Sequence, residues 1–185
     1  KASVNKKNSF GALTVDDSCI GKSHRLVAFI DGASRGNPGE SAFAVVLGNE
    51  QGEVLYQIAG RIGTATNNEA EYRALLEALD LVTRLGIQHL TVFSDSQLLV
   101  NQINGTYRVS APKLLPLYQE AKSKIRRFQG FALIHIDREK NSLADRLASE
   151  ILHRRISYNF REGRSGNRRG TSSEESPSST EQGTG

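Results

Sequence analysis

The sequence predicts an α/β domain: a five-stranded mixed sheet, elements in the order β-β-β-α-β-α-α-β-α, with helices on both faces. Three observations predict it. From Arg25, three strand-like runs follow one another, divided only by Gly, Asn and Pro clusters, which makes a meander. After them, apolar runs alternate with segments of helical spacing, and strands joined through helices must pair in parallel. The run H-L-T-V-F-S-D (89–95) is apolar enough for both of its faces to be covered.

L-V-A-F-I-D (26–31), S-A-F-A-V-V-L-G (41–48) and V-L-Y-Q-I-A-G-R-I-G (54–63) are the first strands, with G-N-E-Q-G (48–52) a hairpin turn. The first helix spans 68–85, where Ala70, Ala74, Leu75, Ala78, Leu79, Val82 and Leu85 recur at helical spacing. Asn67 or Asn68 caps its start and Gly86 ends it. Then come the strand at 89–95, a short helix from Ser96 to about Asn104, and a third helix over roughly 112–128. F-A-L-I-H-I (131–136) is the last strand, and 142–154 the last helix, with Asn141 as its cap.

Composition sets the limits around this domain. The 185 residues, 37% hydrophobic with mean hydropathy −0.43, fit one folded unit at 25–154. A flexible extension (1–24) precedes it, and a disordered Arg/Ser/Gly/Glu-rich tail (155–185) follows, too poor in apolar residues to fold alone. No apolar run approaches the ~20 residues of a membrane span, and no secretory leader is evident. The chain has no Met, so it is expected to be processed or excerpted from something longer. Cys19 is the only cysteine, which excludes internal disulfides and cysteine metal sites and fits a reducing, cytoplasmic compartment. Residues 25–153 hold fourteen basic and fourteen acidic side chains, so the net charge of +4 resides in the ends. Arg154, Arg155, Arg161, Arg164, Arg168 and Arg169 read either as solvated, solubilising ends or as a source of sequence-independent affinity for nucleic acid.

Four carboxylates stand apart: Asp31 in D-G-A-S-R-G-N-P-G (31–39), Glu71 in T-N-N-E-A-E-Y (66–72), Asp95 in S-D-S-Q (94–97) and Asp145 in R-E-K-N-S-L-A-D-R-L-A (138–148). Asp31 and Asp95 end apolar strands, where ligands of open α/β sheets gather. Glu71 borders the buried stripe of its helix, and Asp145 lies in the first turn of the last helix, where the dipole favours an anion. Each alone has an ordinary reading as a cap, a turn former or a surface acid. Together, without a Ser or Cys nucleophile nearby, converging acids point to divalent metal and phosphate chemistry.

These four motifs, in this order over 25–154, resemble the active-site motifs of type-1 ribonuclease H, whose fold has the same element order. The resemblance implies an endonuclease that cuts the RNA strand of RNA/DNA hybrids and leaves 5′-phosphate and 3′-hydroxyl ends. It implies two Mg²⁺ ions, with Mn²⁺ able to substitute. Asp31 would bridge them, Glu71 and Asp95 would complete one shell, and Asp145 the other. Water activation and leaving-group stabilisation by ions about 3.5–4 Å apart suit phosphodiester hydrolysis. The resemblance places Ser34, Asn37, Asn68 and Gln97 along the RNA strand, where a 2′-hydroxyl is sensed, and Thr66 at a DNA-strand phosphate. A monomer is expected.

Two features depart from the family's pattern. Many members carry a histidine in the loop before the last acid; here Asp137, Arg138, Glu139 and Lys140 occupy it, and Arg138 or Lys140 is expected to assist at the scissile phosphate. His135, on the preceding strand, reads as structural, through burial or a hydrogen bond. Some members also insert a basic clamp where this chain runs N-G-T-Y-R-V-S-A-P (104–112) directly into the next helix. Weaker hybrid binding follows, and the alternatives of a relaxed nuclease that also cuts double-stranded RNA, or a non-catalytic nucleic-acid-binding module, stay open. A transposase or integrase relative would share the fold but not the Asn-Asn-x-x-Glu helix start and Gly-Asn-Pro-Gly turn.

Overall fold

The computed structural model describes residues 25–153; the expected N-terminal extension and C-terminal tail lie outside the described residues. The elements are β1 (Arg25–Gly36), β2 (Gly39–Asn49), β3 (Val54–Ala65), α1 (Asn67–Arg84), β4 (His89–Ser94), α2 (Gln97–Ile103), α3 (Leu114–Ile125), β5 (Gly130–His135), a 3-10 turn (Arg138–Asn141) and α4 (Ser142–His153). The strands lie in the order β3-β2-β1-β4-β5. β1, β2 and β3 pair antiparallel, while β4 pairs parallel with β1 and β5. The expected mixed sheet is therefore the observed one.

Alternation explains the layers. Leu26, Ala28 and Ile30 of β1 are buried and join Leu75, Leu79 and Val82 of α1, Leu99 of α2 and Leu117 of α3 in the main core. On α4, Ala144, Ala148 and Leu152 recur every four residues and are buried. That helix packs on β1, β2 and β3, so both sheet faces carry helices. Among the described residues, no helix is long and apolar enough to cross a membrane.

Three features near the strand ends and helix starts differ from expectation. β1 continues five residues past Asp31, because it keeps its pairing with β2 as far as Gly36 opposite Gly39 after parting from β4. Asp31 thus lies within a strand, not at its end. The cap of α1 is Thr66, not Asn67 or Asn68. Its hydroxyl accepts from the Glu69 N–H while the Glu69 carboxylate accepts from the Thr66 N–H, a reciprocal capping box. Asn141, expected to cap α4, instead closes the preceding 3-10 turn and is buried. At its C-terminus α1 ends as expected: Gly86 takes φ +73°, a conformation glycine adopts without a Cβ clash.

Candidate active site

The parallel register of β1 and β4 ends with Ile30 opposite Ser94. The next residue on each strand is an acid, Asp31 and Asp95, so strand pairing alone sets two carboxylates side by side. Where the ladder stops, the Ile30 carbonyl would lose its partner. The Asn141 side chain takes it, donating from Nδ2 at 2.8 Å, with Asp95 Oδ1 3.4 Å from the same nitrogen. Glu71 arrives from α1, which can approach β1 this closely because residue 32 is glycine: a Cβ there would lie 2.2 Å from the Glu71 nitrogen and 2.3 Å from the Ala70 carbonyl carbon. One oxygen from each of Asp31, Glu71 and Asp95 falls within 4.8 Å of the others.

This clustering is electrostatically costly. Asp31 is 5% exposed and Glu71 9%. Burial first, and then the charges of Asp95 and Asp145, push the Asp31 carboxyl up to about 7. Burial, then Asp31 and Asp95, hold Glu71 well above the usual carboxylate range. Glu71 Oε2 has no hydrogen-bond partner. A buried, unpartnered acceptor among like charges is relieved either by a proton or by a cation. The donors are all carboxylate oxygens, the set that hard divalent ions prefer. The residues present fit such an ion.

A cavity of about 600 Å³ opens over the cluster and brings in Asp145 from α4, so all four sequence-predicted carboxylates line one space. Asp145 stands outside the tight group of three. Its Oδ1 accepts from Arg138 Nη2 at 2.6 Å and Nε at 3.1 Å.

The remaining predicted residues divide. Ser34 lines the cavity and its hydroxyl donates to the carbonyls of Ala65, at 2.9 Å, and Gly36. Asn37 accepts from the Asn67 N–H at 3.1 Å, tying the β1–β2 hairpin to the start of α1. Thr66 serves as the helix cap. Asn68 and Gln97 are exposed at the starts of α1 and α2; the asparagine that reaches the cavity wall is Asn67. Arg138 lines the cavity and Lys140 does not. Lys140 pairs with Asp137 at 3.5 Å and borders a separate cavity of about 390 Å³ beside Phe29 and Phe93. His135, expected to be structural through burial or a hydrogen bond, is exposed at the end of β5; on its side of that strand the residue that reaches the core is Leu133.

Three residues escaped the sequence reading. Gly32 permits the helix approach, Arg35 donates to the Leu152 carbonyl at 3.0 Å and so closes the end of α4, and His153 lines the cavity. The spacing of Asp145, Ser149 and His153 on one helix side was the available signal for the last.

A family model described as reverse transcriptase-like matches residues 29–151. The chain belongs to the ribonuclease H-like family. It is similar to the ribonuclease HI of Halobacterium salinarum, 38% identical over 128 residues, which cover 69% of this chain and 64% of that protein. The crystal structure of that archaeon's RNase H1 superimposes with a TM-score of 0.68, covering 69% of this chain and 97% of the other. LC11-RNase H1, solved in complex with an RNA/DNA hybrid, is 35% identical with a TM-score of 0.65, over 68% of this chain and 94% of that one. The bifunctional protein Rv2228c of Mycobacterium tuberculosis is 40% identical over 129 residues, 69% of this chain. The chain spans 35% of the length of that relative. Within the ribonuclease H-like fold, this chain runs directly from α2 to α3 and has no histidine between β5 and α4.

Proposed function

We propose that this chain is a metal-dependent ribonuclease H, an endonuclease that hydrolyses the RNA strand of RNA/DNA hybrids and leaves 5′-phosphate and 3′-hydroxyl ends. The observation that carries the proposal is the group of three carboxylates within 4.8 Å, two of them buried and one with an unpartnered oxygen. A fold that needed no cation there would not keep like charges together at that cost, which argues against a non-catalytic module. Relatives named as ribonuclease H and a related enzyme solved on a hybrid support the same reading.

Asp31, Glu71 and Asp95 would hold one divalent ion, and Asp31 with Asp145 a second, with Mg²⁺ the expected metal and Mn²⁺ a substitute. Bound there, the ions would supply an activated water and charge stabilisation for the leaving oxygen. The chain's own residues do the rest. Asn141 fixes the Asp95 carboxylate against the end of β1. Ser34, which lines the cavity, together with Asn37, Asn68 and Gln97 would follow the RNA strand, reading 2′-hydroxyls. Thr66 would meet a DNA-strand phosphate. Arg138, rather than Lys140, would reach the scissile phosphate, since it is the one lining the cavity. The protein would act as a monomer in the cytoplasm.

The test is incubation with labelled RNA/DNA hybrid, duplex RNA and duplex DNA in Mg²⁺, Mn²⁺ or EDTA. Hybrid cutting that needs metal and disappears in Asp95→Asn, with folding intact by circular dichroism, is the expected result. Cutting that survives either EDTA or that substitution would sink the proposal. The direct link between α2 and α3, which carries no inserted clamp, favours a second reading in which duplex RNA is cut as well; the duplex RNA lane decides it.

A further inference from the structure

We infer that Arg138 holds back the second cation: its guanidinium sits on Asp145, the acid that this ion would use, and the ion must compete with it. The inference rests on the metal-site reading above and deepens it. Four acids line the cavity, yet only Asp31, Glu71 and Asp95 converge within 4.8 Å. The fourth is not idle. Arg138 Nη2 and Nε both donate to one oxygen, Asp145 Oδ1, at 2.6 and 3.1 Å. A guanidinium on that oxygen competes with a metal ion for its lone pairs, and its positive charge opposes a second cation beside it.

Exposure makes the contact releasable. The Arg138 side chain is 76% exposed and Asp145 30%, so the guanidinium can swing into solvent without leaving a buried charge behind. Its influence already extends beyond its partner, since its charge opposes the upward push on both Asp31 and Glu71. Arg138 thus acts as a built-in monovalent counter-ion that keeps the acids tolerable to one another until divalent ions arrive. The three-acid site, which lacks such a partner in direct contact, fills first. Filling of the Asp145 site then frees a cationic side chain at the cavity wall, where a substrate phosphate would lie. Arg138 is here a positioning residue that acts through Asp145.

Two measurements on the full chain test this. Calorimetric titration with Mg²⁺ of the wild type, Arg138→Gln and Arg138→Lys should show a weaker, later binding event that tightens by about fivefold in Arg138→Gln, the scale of an exposed ion pair. Arg138→Lys, which keeps the charge and loses the second donor, should tighten it less. In parallel, the Arg138 Nε–H signal in a ¹⁵N-resolved spectrum should move to the position of a free arginine with the second equivalent of Mg²⁺. A second event unchanged or weakened in Arg138→Gln overturns the inference, as does a signal that moves with the first equivalent or not at all. If the wild type binds no Mg²⁺ and Asp95→Asn behaves identically, the metal-site reading fails and the inference with it.

Discussion

Asp31 keeps its proton up to about pH 7 in the folded chain, whereas an unfolded aspartate releases it near ~3.9. Between those values the folded state binds the extra proton, so metal-free stability declines as pH rises from about 4 to 7 and then levels off. Glu71 is shifted in the same direction and adds to the decline. Asp31→Asn should therefore stabilise the chain in EDTA at pH 8, by up to about 4 kcal/mol, seen as a higher melting temperature, and change it little at pH 4. A variant that melts at or below the wild-type temperature at pH 8 would contradict this. The same proton must leave when an ion binds, so Mg²⁺ affinity should rise as pH passes through 7, followed by calorimetry in buffers of different ionisation enthalpy. The acids themselves were legible because their neighbours recur as four ordered motifs. The upward shift of Asp31 and Glu71 was not, since it depends on burial that no local pattern encodes.

At the scale of elements, α1 is held against β1 by an absence. Gly32 faces the Ala70–Glu71 peptide so closely that a methyl group would meet backbone atoms at 2.2 to 2.6 Å, and backbone cannot rotate aside as a side chain can. Gly32→Ala should push α1 outward, costing about 1–3 kcal/mol, and should weaken Mg²⁺ binding by displacing Glu71. Thermal unfolding and Mg²⁺ calorimetry on that variant check both. Wild-type values for both would mean that the close approach is not what places the glutamate. The Ala and Leu stripe of α1 was readable from spacing, but its start was not. Thr66, Asn67 and Asn68 are all good caps, and the choice fell to Thr66 because Glu69 three residues on completes the capping box. Asn141 shows the same limit: capping preference is local, whereas its hydrogen bond to Ile30 spans 111 residues.

At the scale of the whole molecule, charge is divided between a neutral domain and its basic ends. With equal numbers of acids and bases in 25–153 and no inserted clamp between α2 and α3, the domain has little long-range attraction for a polyanion until ions load the cavity. Deleting 157–185 removes Arg161, Arg164, Arg168 and Arg169. It should weaken hybrid binding and flatten its dependence on salt, because each arginine that neutralises a phosphate steepens that dependence. Fluorescence anisotropy across a salt series measures both, and identical slopes would rule the tail out of binding. The domain reading of 25–154 stands on composition at its two edges, where apolar periodicity begins and stops.

The sequence by itself determined the strand and helix order, the mixed character of the five-stranded sheet, and the identity of the four acids. Periodicity and turn chemistry are short-range properties, and the four motifs are contiguous strings. Only the tertiary structure decided which acids touch: three within 4.8 Å and the fourth held by Arg138. It also decided that Asn141 braces the site and that Arg138, not Lys140, faces the cavity. Those outcomes depend on where β1 parts from β4 and how closely α1 can approach, and both are set by packing between segments far apart in the chain.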